Sequence, residues 1–230
     1  MKPRILDHRH EVFRVVRAGW TDPLSATFSR SAPDRRWNTS DFGALYLCCS
    51  EGVARAIVND LFKITGVELD ELQPAYLPQL VEIAWEGQVV DVASEAGVRA
   101  AGFLARYPKD IKKAATRAAS IRFRKQGFDG VVCRSASLER MGMALWTGDH
   151  ATWSEVAVFE EAAERARVVS RRRDLDWLRS GFRPDRGERH YLLEVCRFTR
   201  WNLRRTARIL GISPKSLYMK LKQYGISRPM

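Results

Sequence analysis

Residues 213–223, SPKSLYMKLKQ, combine cationic and hydrogen-bonding side chains with two leucines at helical spacing. Ser213 is a residue type that caps helices, and Pro214 suits the first helical position, where a missing N–H costs nothing. Leu217 and Leu221 are four residues apart, which predicts one docked face. The opposite side carries Lys215, Ser216, Met219, Lys222 and Gln223. Such side chains contact base edges and phosphates, so this helix is predicted to bind DNA.

A second helix is predicted directly before it. Asn202 is a suitable N-cap, Ala207 and Leu210 face inward, and Gly211 ends the helix. A helix that ends at Gly211 and is followed by another from Ser213 forms a helix-turn-helix, whose second helix enters the major groove. A further helix over 188–200 places its apolar residues on one side: Leu192, Leu193, Val195, Cys196 and Phe198.

These residues resemble the Fis-type helix-turn-helix of Fis and of bacterial enhancer-binding activators. The match runs through Asn202, Ala207, LGIS (210–213), LY (217–218) and KLKQYGI (220–226). The resemblance implies a homodimer that reads pseudo-palindromic double-stranded DNA. Pro214 stands where relatives often carry a DNA-contacting Arg, which shifts base reading to its neighbours. The predicted DNA-binding residues are Asn202, Arg204, Arg205, Ser213, Lys215, Ser216, Tyr218, Met219 and Lys222. The alternative is a three-helix bundle without a DNA role.

The charge distribution favours DNA binding. The chain of 230 residues has a net charge of +12, but residues 1–163 contain 21 Lys and Arg against 21 Asp and Glu. Residues 164–230 contain 18 Lys and Arg against 6 Asp and Glu, so the whole excess lies there. A segregated excess indicates a polyanionic partner for one domain, although a solvated basic tail has the same composition.

Composition predicts a globular protein, since 45% of the residues are hydrophobic. No apolar run is long enough to span a membrane, and no signal peptide is expected. The four cysteines form no CxxC pair and are predicted to be free and buried. His8 and His10 lack a third ligand, so no metal site is expected. These features predict a cytoplasmic, nucleoid-associated protein.

The pattern of elements predicts an α+β fold in residues 1–163. Strands are expected within 43–50, 80–94, 128–135, 142–146 and 155–160, and helices over 51–66 and 109–127. Ser50 and Gly66 are predicted to begin and end the first helix. The Arg-rich segment 164–187 is predicted to be a linker, with a helical turn near Leu175, Trp177 and Leu178, and 188–230 the DNA-binding domain.

The N-terminal segment contains no GxGxxG, Walker, HExxH or Gly-x-Ser-x-Gly motif. Over residues 11–160 it resembles the RES domain family, through Phe13-Arg14, Asp22-Pro23-Leu24-Ser25, Arg36-Trp37-Asn38, Tyr46 and the GFDGVVCRS stretch that ends at Ser135. The family includes NAD-degrading toxins of toxin–antitoxin systems, with a fold like that of ADP-ribosyltransferases. The resemblance implies a pocket in which Arg14 and Arg36 clamp a pyrophosphate, Tyr46 stacks on nicotinamide, and Ser135 donates to it.

Two departures from the family oppose catalysis. The position of the family's essential Glu is occupied by Ile57, and the usual glycine pair before Arg36 reads Asp34-Arg35. Without a carboxylate, the oxocarbenium-like centre loses stabilisation that is typically worth roughly several kcal/mol. A RES fold without NAD cleavage is therefore predicted. It requires no cofactor, and residual binding of a nucleotide or phosphate is expected at the arginines.

The favoured function is sequence-specific transcriptional regulation, with the RES-like domain as a sensing or protein-docking module. Two alternatives stay open: an NAD-consuming toxin that autoregulates through its helix-turn-helix, and a nucleoid protein that bends DNA.

Overall fold

The N-terminal unit is built on one mixed β-sheet. The computed structural model describes residues 3–8, 11–32, 35–109, 112–140, 154–179, 192–193, 195–196, 199, 201–209 and 212–228. The sheet has eight strands in the order β1-β5-β6-β7-β3-β2-β4-β8. Their bounds are β1 Ile5–His8, β2 Glu11–Arg17, β3 Ala44–Cys48, β4 Pro78–Ala84, β5 Gly87–Val92, β6 Gly130–Arg134, β7 Ser154–Phe159 and β8 Arg167–Arg172. Together with the helices below, this sheet confirms the predicted α+β class.

The strand pairing leaves an opening near the middle of the sheet. The β5–β6 pair is parallel and the other neighbours are antiparallel. Strands β2 and β3 share a register of one pair, Phe13 with Cys48, whereas β2 pairs with β4 along its whole length. The two strands therefore diverge on one side of that pair.

Eight α-helices lie within the described residues. Their bounds are α1 Glu51–Thr65, α2 Glu95–Ala100, α3 Lys113–Lys125, α4 Ala136–Arg140, α5 Glu160–Ala163, α6 Asp176–Arg179, α7 Leu203–Ile209 and α8 Pro214–Gln223. The predicted helix over 109–127 thus begins four residues later, at Lys113. The predicted strand over 142–146 lies outside the described residues.

Local chemistry sets the ends of α1 as predicted. The Ser50 hydroxyl accepts a hydrogen bond from the Val53 N–H at 3.3 Å, and Gly66 adopts φ 68°. Glycine suits this left-handed position because it carries no Cβ.

Apolar side chains pack on both faces of the sheet. One face carries alternate residues such as Val12, Val16, Leu45 and Leu47. On the other face, Val90 and Val131 pack against Val98 of α2 and Phe123 of α3. A third cluster joins α1 and α6 to the end of the sheet near β2 and β4: Cys48, Val53, Ala54, Ala56, Val58, Leu80, Leu138, Trp177, Leu178 and Val195. This cluster is called the α1 cluster below.

The predicted linker requires a correction at its N-terminal half. Residues 167–172 form β8, which pairs with β4, and Trp177 and Leu178 of α6 are buried in the α1 cluster. The Arg-rich composition suggested a linker because β8 is an edge strand whose side chains are mostly exposed. The helical turn near Leu175, Trp177 and Leu178 is confirmed as α6.

The C-terminal unit has a small core of its own. Leu217 and Leu221 of α8 pack against Ala207 of α7 and against Leu192 and Cys196. The hydroxyls of Thr199 and Thr206 are buried and lie 2.6 Å apart, which links the segment before α7 to α7 itself. The predicted core residues Phe198 and Leu210, and the predicted stop Gly211, lie outside the described residues.

The residues considered as metal ligands or disulfides are not grouped. All four cysteines are buried and free. His8 ends β1 and His10 lies outside the described residues. Within the described part of the chain, no group of three His, Cys, Asp or Glu side chains is placed to hold a metal ion. None of the described helices has the length and hydropathy needed to cross a membrane.

Candidate functional site

A cavity of about 150 Å³ lies where β2 and β3 diverge. It contains three positions that the sequence singled out, Arg14, Tyr46 and Ile57. The other described residues of its lining are Val15, Trp20, Phe28, Ser29, Ala32, Arg35, Ala44, Leu47, Cys48 and Glu155. A ligand pocket for a drug-sized molecule typically has about 300 Å³ or more, so this one has room for about one ring.

Arg14 is held at the cavity by neighbouring loop carbonyls. One of its terminal nitrogens donates to the carbonyl oxygens of Pro23 and Ser25, the latter at 3.2 Å. Its guanidinium carbon lies 5.4 Å from the ring centre of Trp20, a cation–π contact. Burial lowers the pKa of Arg14 to about 10, and nearby Arg35 lowers it further in the same direction. Arg14 is therefore still a cation at neutral pH.

Tyr46 presents its ring to the cavity while its hydroxyl is fully engaged. The hydroxyl donates to Asn38 Oδ1 at 2.9 Å and accepts from the Trp37 N–H at 2.8 Å. Burial raises the pKa of Tyr46, so the phenol stays neutral. The Arg35 guanidinium carbon lies 5.5 Å from the ring centre and covers one face. That ring face is therefore in contact with the protein's own cation.

Arg36 makes internal contacts and is not part of the described cavity lining. Its guanidinium donates to the Tyr107 hydroxyl at 3.0 Å, to the Arg134 carbonyl at 3.2 Å and to Glu155 Oε2 at 3.4 Å. Burial alone lowers the pKa of Arg36, but Tyr107, Cys133 and Glu155 raise it overall. Arg36 thus anchors strands from behind the cavity.

Ser135 is also absent from the described lining. It is fully buried directly before α4, and its Oγ accepts from the Leu138 N–H at 3.5 Å. Its carbonyl accepts from the Glu139 N–H at 3.2 Å. These contacts are those of a helix N-cap. The structure therefore brings Arg14 and Tyr46 together, but not Arg36 or Ser135.

Position 57 faces the cavity, and the acids near it do not. Ile57 contributes to the lining, so a Glu there would reach the same space. The two acids of α1, Glu51 and Asp60, form ion pairs elsewhere, with Arg172 and Arg140 respectively. Neither acid replaces the missing carboxylate.

Glu155 is the residue that sequence reasoning missed. It stands on β7 opposite Cys48 on one side and Cys133 on the other, and it lines the cavity. Its Oε2 faces Arg36, with the side chains of Glu155 and Arg36 12% and 14% exposed. The available signal was a Glu within a strand of uniformly buried residues, because a Glu is almost never buried without a partner.

The second candidate site is the exposed side of α8. The Ser213 hydroxyl accepts from the Ser216 N–H at 3.0 Å, and Pro214 occupies the first helical position. Leu217 and Leu221 are buried, whereas the predicted contact residues on the opposite side are exposed: Lys215, Ser216, Tyr218, Met219 and Lys222. The Asn202 side chain accepts from the Arg205 N–H at 3.1 Å and caps α7. Asn202, Arg204 and Arg205 are exposed as well.

Comparison with known proteins follows the same division. The RES domain family matches residues 11–178, more than half of the chain. The chain belongs to the RES domain family. The match extends through β8 and α6, which agrees with the sheet rather than with a linker beginning at residue 164.

The C-terminal unit matches a second family, described as bacterial regulatory protein, Fis family, over residues 185–224. The chain is therefore a RES domain followed by a Fis-family helix-turn-helix. No curated protein matches the sequence.

One solved structure has a similar fold. It is a chain of the M. tuberculosis MbcT–MbcA toxin–antitoxin complex, 17% identical, with a TM-score of 0.55. The likeness covers 73% of the present chain and 85% of the other. It supports the ADP-ribosyltransferase-like fold of the RES domain.

Proposed function

We propose that this protein is a sequence-specific transcriptional regulator, in which the Fis-type unit reads DNA and the RES domain serves as a sensing or docking module. The observation that carries the proposal is α8. This helix buries its leucines and exposes Lys215, Ser216 and Lys222 on the opposite side. Capped helices of this kind position side chains on base edges and phosphates.

The test is binding of the full chain to a library of duplex DNA. Lys222→Ala is expected to weaken binding to all sequences and to reduce the log–log salt slope by about 0.9, the value for one phosphate contact. Lys215→Ala and Ser216→Ala are expected to change the preferred sequence. Lys63→Ala, at an exposed lysine of α1, is the matched control and should leave binding unchanged.

Equal affinity for every sequence would instead support the architectural alternative, a nucleoid protein that bends DNA. Failure of the wild-type protein to bind any duplex would contradict both DNA-based functions.

A homodimer is part of this proposal. Two half-sites about one helical turn apart require two recognition helices related by a two-fold axis. Light scattering of the full chain is expected to give twice the monomer mass, at least on DNA. A monomeric mass both with and without DNA would contradict it.

The RES domain is proposed not to cleave NAD, for two independent reasons. Ile57 places a branched alkyl group where an acid would stabilise the departing nicotinamide. Arg35 covers one face of the Tyr46 ring, the ring on which a cationic nicotinamide would stack. Binding of a nucleotide or phosphate to Arg14 and Arg35 remains a prediction, because the cavity itself has room for about one ring.

Turnover of NAD tests this part. The wild-type protein is expected to leave NAD intact over hours, whereas Ile57→Glu combined with Arg35→Gly is expected to cleave it slowly. Arg35→Gly alone is the control, since it opens the ring face without supplying a carboxylate at position 57.

A second candidate function rests on Glu155. It provides a carboxylate in the cavity, so an active NAD-consuming toxin that autoregulates through its helix-turn-helix is the alternative. A protein partner for the RES domain belongs to this reading, because the similar structure comes from a toxin–antitoxin complex. NAD loss caused by the wild-type protein and abolished by Glu155→Gln would establish the toxin.

A further inference from the structure

The cavity and the DNA-reading unit share one set of packed side chains. Val195, in the segment before α7, is fully buried in the α1 cluster together with Trp177 and Leu178 of the RES domain. Cys48 belongs to the same cluster and also lines the cavity. Ile57 lines the cavity as well and packs against the cluster. The wall of the cavity is therefore continuous with the surface on which the C-terminal unit rests.

Helix α1 is the element that spans both places. Ile57 points to the cavity, and its neighbours Val53, Ala54 and Val58 are buried among the residues that contact Val195. The Arg55 Nε donates to the Trp177 carbonyl at 2.7 Å, which ties α1 to α6. Residues 53 to 58 rise about 8 Å along the helix, so a movement of α1 is felt at both ends of this short distance.

We propose that occupancy of the cavity is coupled to the DNA affinity of the Fis-type unit through α1. The physical reason is packing density: a close-packed cluster does not absorb a displaced wall, so a shift of Ile57 moves the residues around Val195. Since coupling is reciprocal, bound DNA changes the cavity in turn. This inference rests on the proposed function, because it requires that the Fis-type unit bind DNA.

The test replaces an unidentified ligand by substitutions in the cavity wall of the full chain. Ile57→Phe enlarges the wall residue and Ile57→Val removes one methyl group. Each is expected to change the Kd for duplex DNA, the Phe variant by about threefold or more, the scale reported for residues within coupling networks. The matched control is Ile64→Phe, the same substitution at a position of α1 that is 65% exposed, and it should leave the Kd unchanged.

A second set of variants identifies the route. In a Val195→Ala background, which removes contacts between the two units, the effect of Ile57→Phe on the Kd is expected to shrink towards onefold. Cooperative thermal unfolding shows which variants are folded. Should Ile57→Phe not fold, Ile57→Val carries the test, with an expected change of about 1.5-fold or more.

The outcomes separate the two levels of the proposal. Tight DNA binding with the same Kd for the wild type and every folded Ile57 variant overturns the coupling and leaves the proposed function intact. Absence of DNA binding by the wild type overturns the proposed function itself. A change in Kd that persists unaltered in the Val195→Ala background overturns the route through the α1 cluster.

Discussion

Arg36 and Glu155 form an ion pair that is almost completely withdrawn from water, with 3.4 Å between Nη2 and Oε2. Removing one member of such a pair leaves the other charge buried without compensation. Arg36→Met is therefore expected to lower the free energy of unfolding by about 3–5 kcal/mol, as measured by urea denaturation.

Two controls separate burial from charge. Arg99→Met removes an exposed pair with Glu95, whose atoms lie 3.9 Å apart, and should cost about 0.5 kcal/mol or less. Glu155→Gln in the Arg36→Met background should restore part of the loss, because it removes the orphaned charge. A loss at position 36 no larger than that at position 99 would refute this interpretation of the pair.

Buried acids give the protein a stability that depends on alkaline pH. Burial raises the pKa of the Cys133 thiol from 9.0 to about 11, and burial also raises the pKa of Cys48, Tyr46 and Tyr107. The unfolded chain therefore releases protons at a lower pH than the folded chain. The contribution of Cys133 is complete below pH 9 and is lost as the pH rises through about 11.

The free energy of unfolding is expected to fall between pH 9 and about pH 10, with about 1 kcal/mol of the decrease arising from Cys133. Cys133→Ser removes the thiol but retains an acceptor for the Trp37 indole N–H, which lies 3.2 Å from the sulfur. Urea denaturation across this range should show a smaller decrease for the serine variant. Parallel curves for the two proteins would contradict the assignment.

At the level of elements, α8 separates stability from recognition between two adjacent residues. Leu217 is fully buried in the core of the C-terminal unit, whereas Tyr218 is 62% exposed. Leu217→Ala is expected to cost about 2–5 kcal/mol of that unit's stability and to abolish DNA binding with it. Tyr218→Ala should weaken DNA binding without a change in stability.

Circular dichroism melts and DNA titrations on the two variants provide the measurements. If Tyr218→Ala destabilised the protein as much as Leu217→Ala, the orientation assigned to α8 would be wrong.

The ends of the elements were the features most accessible from sequence. Ser50, Gly66, Ser213 and Pro214 act through bonds within a few residues of themselves, so their roles follow from local chemistry. The cavity depends on contacts between distant strands, and local patterns do not encode these. Arg35 and Glu155 are 120 positions apart along the chain and meet only after the sheet has formed.

Strand β8 shows the same limit in a different form. Its arginines resemble a solvated linker because an edge strand exposes most of its side chains, and only its backbone pairing with β4 reveals its place. The order of the two units was accessible because each carries its own motif. The extent of the RES domain was not, since it depends on that long-range pairing.

At the scale of the whole molecule, β8 decides where the chain can be divided. It covers the outer edge of β4, a strand of mostly buried residues, and it presents charged side chains beyond that edge. A fragment that ends at residue 163 exposes the open backbone of β4, which is a template for pairing with other copies. It also uncovers the apolar surface beneath Trp177 and Leu178.

Fragment 1–163 is therefore expected to form soluble oligomers and then precipitate, whereas fragment 1–179 should elute as a single species in size-exclusion chromatography. Mild proteolysis of the full chain should likewise spare 164–179. The arginines of β8 thus act as a guard against self-association: a charged border that keeps neighbouring RES domains apart when two copies of the chain are held close together on one duplex.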